Sequence, residues 1–406
     1  MIFVLRLFVM MVVVWAPVAE ARSLRDRLPD AARQVGIEGG TAFDALADAI
    51  ADTAARNIPI VTASAGFTYR YNAQLEVFER TSETLGPIFL ERPDTLGRGK
   101  LNINVSYQYV DLNEIDGDST DSLEAGDPIV VRVVDVAGNP LGFTANRVRY
   151  DFSLVNHVVG LSATYGLLDN LDVNLLVPLI QTENRVKATN QQLFFAGTDG
   201  VFNPLPLPPR QATLDGGRFG VGDIFLRGKY QLPRLGGWRS ALGLQLRLPS
   251  GDEDNFQGTG DFETSPFFYV STVLWSRFEP HANLGVDLRT EDVERSQARY
   301  GAGVDVDVTR RLGFALAFLG RSEFKRSSPA GETSFLHLVN PAGSVVERRP
   351  LLGIDFGRKD FFDLSLGLRA VVWRQIMLFA NGIFPLNDDG LRNDTAIPTV
   401  GVEGTF

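Results

Sequence analysis

From about residue 101 to the C-terminus, apolar and polar residues alternate with a period of two. Leu242, Leu244, Leu246 and Leu248 oppose Ala241, Gly243, Gln245 and Arg247. Phe362, Leu364, Leu366, Leu368, Ala370 and Val372 oppose Asp363, Ser365, Gly367 and Arg369. Successive side chains of a strand point to opposite faces, so each segment has one oily face and one small or charged face. Eleven segments fit this pattern: Leu101–Val110, Val148–Tyr165, Leu171–Lys187, Phe219–Tyr230, Ala241–Leu248, Ala282–Arg289, Arg299–Val308, Leu312–Phe318, Phe362–Val372, Ile376–Phe384 and Thr395–Phe406, and Phe262–Trp275, apolar on both faces, is counted as a twelfth strand. A tilted strand of about ten residues crosses a bilayer. In the second segment, apolar parity moves from Tyr150, Phe152 and Leu154 to Val155, His157, Val159 and Leu161. That shift predicts a β-bulge near Val155-Asn156.

The connections alternate between short, such as Thr309–Arg311, and long, such as Asp111–Arg147, Ala188–Arg218 and Lys325–Asp360. Short turns on one side and long loops on the other predict an all-β transmembrane antiparallel barrel. Twelve strands are expected, or fourteen if Phe67–Phe78 adds a hairpin. An even number puts both chain ends on the side of the short turns. A soluble sandwich would also alternate, but its strands are shorter. It would give no reason for Trp238, Trp275 and Trp373 to fall together at short turns, as interfacial rings do. Tyr165, Tyr230, Phe278 and Phe406 fall at the same level.

The first hundred residues read differently. Within Met1–Ala21, Ile2–Val14 is almost wholly apolar, interrupted by Arg6, and Ala19-Glu20-Ala21 follows, the pattern of a cleaved signal peptide, with an uncleaved anchor helix as the alternative. Residues 22–99 form a helical and irregular segment, a candidate lumen plug, and residues 100–406 the barrel. A short helix is expected within Ser23–Val35. A second is expected after a Thr41 cap, with Phe43, Leu46, Ala47, Ile50 and Ala54 on one face. Such short amphipathic helices need a surface to bury against, and the barrel interior offers one. Periplasmic leader is the alternative.

Composition narrows the chemistry. The chain has no Cys, three dispersed His and a formal charge of −10. Thiolate sites are excluded, and nucleic-acid binding through phosphates is disfavoured. No nucleotide, zinc-protease or serine-hydrolase motif occurs, so no enzyme, cofactor or metal site is expected. His157 reads as a boundary residue rather than a general base. Asp111, Glu114, Asp116, Asp118, Asp121, Glu124 and Asp127 make an acidic outer loop, either solvated or bridged by a divalent cation to lipopolysaccharide. Parity points Asp223, Arg227, Lys229, Gln245, Arg247, Asp287, Arg289, Asp305, Asp307, Asp363, Arg369 and Glu403 into the lumen. Such mixed charges either set the field of an eyelet or brace a largely filled interior. Leu96-Gly97-Arg98-Gly99-Lys100 reads as a tight lead-in to the first strand.

Several stretches carry a family resemblance. They are Gly66-Phe67-Thr68-Tyr69, Gly86-Pro87-Ile88-Phe89-Leu90-Glu91-Arg92 and Thr95–Lys100. Ala163–Leu167 and Leu248-Pro249-Ser250-Gly251-Asp252-Glu253 with Gly258-Thr259-Gly260 add to them. The chain resembles bacterial outer-membrane transporters of the MetA pathway of phenol degradation, and more distantly FadL-type channels. The resemblance implies passive uptake of small, hydrophobic or aromatic solutes across the outer membrane. It transfers no binding residue, and the N-terminus departs from the FadL hatch pattern. Expected partners are outer-membrane lipid and lipopolysaccharide, a small solute, and the barrel-assembly machinery through the strand ending at Phe406. An outer-membrane hydrolase or a non-transporting barrel remains the alternative.

Overall fold

The computed structural model describes residues 23–406 except 37–46, 48–49, 52, 60, 64–68, 73–76, 81–84, 86–87, 125–128, 135–139, 197–202, 291–292, 294–295, 325–334, 340–344, 351–357 and 374. The signal segment and the Thr41 cap therefore lie outside the described residues. Among the described residues, twelve antiparallel strands close into a barrel. They are β1 Leu101–Leu112, β2 Pro140–Leu168, β3 Leu171–Ala196, β4 in two pieces (Arg210–Val221 and Ile224–Gln231), β5 Trp238–Leu248 and β6 Glu263–Thr272. Then follow β7 Phe278–Arg289, β8 Gln297–Asp307, β9 Leu312–Glu323, β10 Asp360–Trp373, β11 Ile376–Pro385 and β12 Ile397–Thr405. Each strand pairs with its chain neighbours, and β12 closes on β1 with Val402 opposite Val105. Closure leaves no free edge in lipid. Tyr69–Asn72 pairs with Val77–Arg80 in a separate sheet, so this hairpin adds no strand to the barrel.

Polarity across the wall is inverted relative to a soluble protein. Leu244, Phe314, Leu316, Leu366, Leu378 and Val400 are exposed, while Gln245, Asp287, Asp305, Arg369 and Glu403 are buried. Only an apolar solvent makes that arrangement favourable, since such a wide apolar surface in water would drive association. Trp238, Trp275 and Trp373 are exposed at the short-turn end, with Tyr165, Tyr230, Phe278 and Phe406.

The predicted bulge at Val155-Asn156 is absent. Asp111 faces Val155 and Val110 faces Asn156 in unbroken register, and Tyr150, Phe152, Leu154, Asn156 and Val158 all point inward. What changes along β2 is the environment. Its 29 residues span roughly 95 Å at about 3.3 Å each, far beyond the lipid. Its outer part, within the loop predicted over Asp111–Arg147 and just past it, therefore meets water outside. There the polarity reverses. Val110, Leu112, Tyr150, Phe152, Leu154, Val186 and Ala188 are buried inside against the N-terminal segment.

Leu24 N donates to Asn255 Oδ1 at 3.1 Å and Arg25 pairs with Asp254 at 2.9 Å, both in the long β5–β6 connection. The described chain thus begins at the long-loop mouth, not beside the short turns. Helix α1, Arg27–Gln34, contributes Leu28, Ala31 and Ala32 to the same apolar cluster. Ala47, Ile50 and Ala54 are helical and enter that cluster too, whereas Phe43 and Leu46 lie outside the described residues. The segment ends at the opposite mouth, where Gly97 and Gly99 take φ of +87° and +78° and Gly99 N donates to Gly166 O at 2.8 Å. Only glycine adopts those angles without strain.

The small residues that oppose the oily face now have a reason. Gly301, Gly313 and Gly367 face inward, and Leu90, Leu85 and Ile88 lie against them. A Cβ at Gly367 would fall 2.4 Å from Ile88 Cδ1, so a larger residue would push the inner segment off the wall.

Candidate functional site within the barrel

Inward polar side chains hold described positions of the N-terminal segment toward both ends of the barrel. Near the short-turn end, Glu279 accepts from Arg239 at 2.6 Å, from Arg92 at 3.4 Å and from Ser271 at 3.1 Å. Arg239 also pairs with Asp94 at 2.5 Å. Lys229 reaches Glu91 at 3.3 Å and donates to Arg92 O at 3.1 Å. Asp172 accepts from Leu96 N at 2.9 Å. Arg369 donates to Leu85 O at 2.9 Å, and Asp307 accepts from Leu85 N at 3.1 Å. Asp305 lies 3.6 Å from His281, and Glu403 accepts from Asn102 at 2.7 Å.

Toward the long-loop end, Arg247 donates to Ala55 O at 3.1 Å and Arg321 to Arg56 O at 3.1 Å. Arg56 pairs with Glu263, Arg392 with Asp363, and Arg289 with Asp261. Asp223 has a different task. It sits where β4 breaks, and accepts from Arg247 Nε at 2.7 Å, Gly251 N at 3.0 Å and Thr259 N at 2.9 Å. The β5–β6 connection is thereby folded inward, which seats Phe256, 2 % exposed, in the apolar cluster. The Leu248–Glu253 and Gly258-Thr259-Gly260 stretches are the two arms of that clamp.

Between the segment and the wall from β4 to β12 remains a cavity of about 170 Å³. Arg227, Gln245, Arg247, Asp287 and Asp363 line it among the residues selected by parity. The others lie elsewhere: Asp223 at the clamp, Lys229, Asp305, Asp307, Arg369 and Glu403 toward the short turns, and Arg289 beside Asp261. Parity selection missed Arg299 and Arg321, which continue the inward faces of β8 and β9, and Tyr269 on β6. It also missed Arg56, Glu91, Arg92 and Asp94, which lie in the non-alternating segment where no periodic signal exists.

His157 faces outward, its Nδ1 2.8 Å from the Tyr107 hydroxyl and its ring edge-on to Tyr109. In the acidic loop, Asp116 pairs with Lys359 at 2.6 Å. Burial, then the neighbouring Asp388 and Asp394, raise the Glu114 carboxyl above its ordinary pKa. Among the described residues no three His, Asp or Glu side chains gather as metal ligands.

A closed twelve-stranded barrel, oily outside and polar within, with an aromatic girdle, is a bacterial outer-membrane protein of the channel type. The sequence profile described as "Putative MetA-pathway of phenol degradation" matches residues 141–369, and the chain belongs to that family. No curated protein matches it. Solved structures that resemble it include the COG4313 outer-membrane channel from Pseudomonas putida F1, at 12 % identity and TM-score 0.45, covering 77 % of this chain and 98 % of that one. A Pseudomonas aeruginosa FadL homologue aligns at 12 % identity and TM-score 0.32, covering 76 % and 90 %. The NanC porin aligns at 8 % identity and TM-score 0.36, covering 75 % and 98 %.

Proposed function

We propose that this protein is a passive outer-membrane channel for small hydrophobic or aromatic solutes. In this reading residues 22–99 form a lumen plug and residues 100–406 the pore wall. The observation that carries it is the residual cavity between the inner segment and the wall from β4 to β12. Its volume of about 170 Å³ is of the order that holds one benzene-sized molecule. Phe225, Phe267 and Tyr269 give it an aromatic side. A wall built merely to be filled would have no use for a gap among so many charged groups. The acidic outer loop would face lipopolysaccharide, and the β12 strand leading to Phe406 would be read by the assembly machinery. The test is current through single proteins in a planar bilayer. Millimolar phenol should reduce the current while equal glucose leaves it unchanged. A bilayer that never conducts would favour a structural barrel, and equal effects of both solutes would remove the aromatic preference.

A further inference from the structure

Resting on the channel reading above, we infer that the cavity selects monoanionic aromatic oxyanions, such as aromatic carboxylates, over cations of similar size. The reason is a surplus of guanidinium groups: among the described residues, six arginines line the cavity against four carboxylates. Arg299 and Arg321 stand directly opposite one another on β8 and β9, both facing inward. Like charges in that position repel. The acceptors for Arg321 are Arg56 O at 3.1 Å and Asn57 Oδ1 at 2.9 Å, both uncharged. Among the described residues no carboxylate comes within ion-pairing distance of it.

Arg227 is in a similar position. Among the described residues its one close acceptor is Val61 O at 3.0 Å. Glu91 is 4.0 Å away and closer to Lys229, at 3.3 Å, so one carboxylate serves two cations. Among the described residues, the buried Nε and Nη2 of Arg227 have no hydrogen-bond partner. Arg299 lies 3.6 Å from Asp287, whose other oxygen accepts from Gln297 at 2.7 Å. Buried cations without matching anions are unfavourable, and a planar oxyanion satisfies guanidinium donors in pairs.

The same groups choose the rest of the solute. Arg299 lies over the Phe267 ring at 5.4 Å and Arg227 over the Phe225 ring at 5.9 Å, while Phe267 stacks on Tyr269 at 5.7 Å. An aromatic ring therefore finds a π face beside each cation. The acidic outer loop acts in the opposite sense, so the selectivity belongs to the cavity and must be read by variants within it.

The experiment loads proteoliposomes with the full protein and compares entry of benzenesulfonate with phenyltrimethylammonium. Both are permanently charged and cross lipid poorly. Benzenesulfonate should enter at least about five times faster. Arg321→Gln and Arg227→Gln should each bring the ratio toward one, and Arg321→Lys, which keeps the charge, should preserve most of it. Heat-modifiable migration on gels verifies that each variant has folded. If the two probes enter the wild-type protein equally, or the cation enters faster, the selectivity is wrong while the channel stands. If neither probe enters, the channel reading itself fails.

Discussion

Replacing Glu279 with Gln should loosen the inner segment while leaving the barrel intact. Glu279 is fully buried and carries two guanidinium groups, Arg239 of the wall at 2.6 Å and Arg92 of the segment at 3.4 Å. Arg239 retains Asp94 at 2.5 Å when Glu279 is neutral, whereas Arg92, 1 % exposed, loses the Glu279 charge that faces it at 3.4 Å. Breaking a buried pair in this way costs about 3–5 kcal/mol. That raises the population with residues 91–94 unseated roughly a hundred- to several thousand-fold. The strand ladders on either side of Glu279, with Asp305 opposite it on β8, are backbone interactions and survive. Tryptic cleavage within residues 85–100 and open-channel current should both rise, with unchanged heat-modifiable migration. Adding Arg92→Met removes the cation that faced Glu279 and should recover a large part of the loss. Unchanged cleavage and current in Glu279→Gln, or strictly additive effects in the double variant, would refute the linkage.

Other outcomes follow from the same contacts. Gly367→Val drives a side chain into Ile88; overpacking of about 1–3 kcal/mol should appear as faster proteolysis of the inner segment. Asp223→Asn weakens acceptance from Arg247, Gly251 N and Thr259 N, so protease sensitivity of the connection over residues 249–262 should increase well before the barrel unfolds. Leu316→Arg places a charge on the exposed outer face between Val304 and Leu366 and should destabilise the barrel by about 2–4 kcal/mol in a lipid refolding titration.

Much of the wall was legible in the sequence because lipid imposes a local rule. Each strand needs an oily face, and the period of two records it residue by residue. The same rule failed on β2, where Tyr150, Phe152 and Leu154 are as apolar as Leu161 yet face inward. Alternation reports that two faces differ, but not which solvent each one meets. A reversal of environment therefore resembles a slip in register. Gly301 and Gly367 were visible as small, although their purpose depends on Leu90 and Ile88, which arrive from a distant part of the chain. Parity likewise found Arg227 and Arg247 as inward residues. It could not pair them, because Glu91 and Ala55 lie in a stretch without alternation, and the contacts exist only once the cylinder has closed around it.

The most direct test of the filled lumen is single-channel conductance of the protein with Ser23–Asn57 removed, measured beside the full chain in the same bilayer. The structure predicts a clear increase, since Leu24, Leu28, Ala31, Ala47, Ile50 and Ala54 no longer occupy the outer half of the barrel. Identical conductance from a correctly folded deletion variant would contradict it.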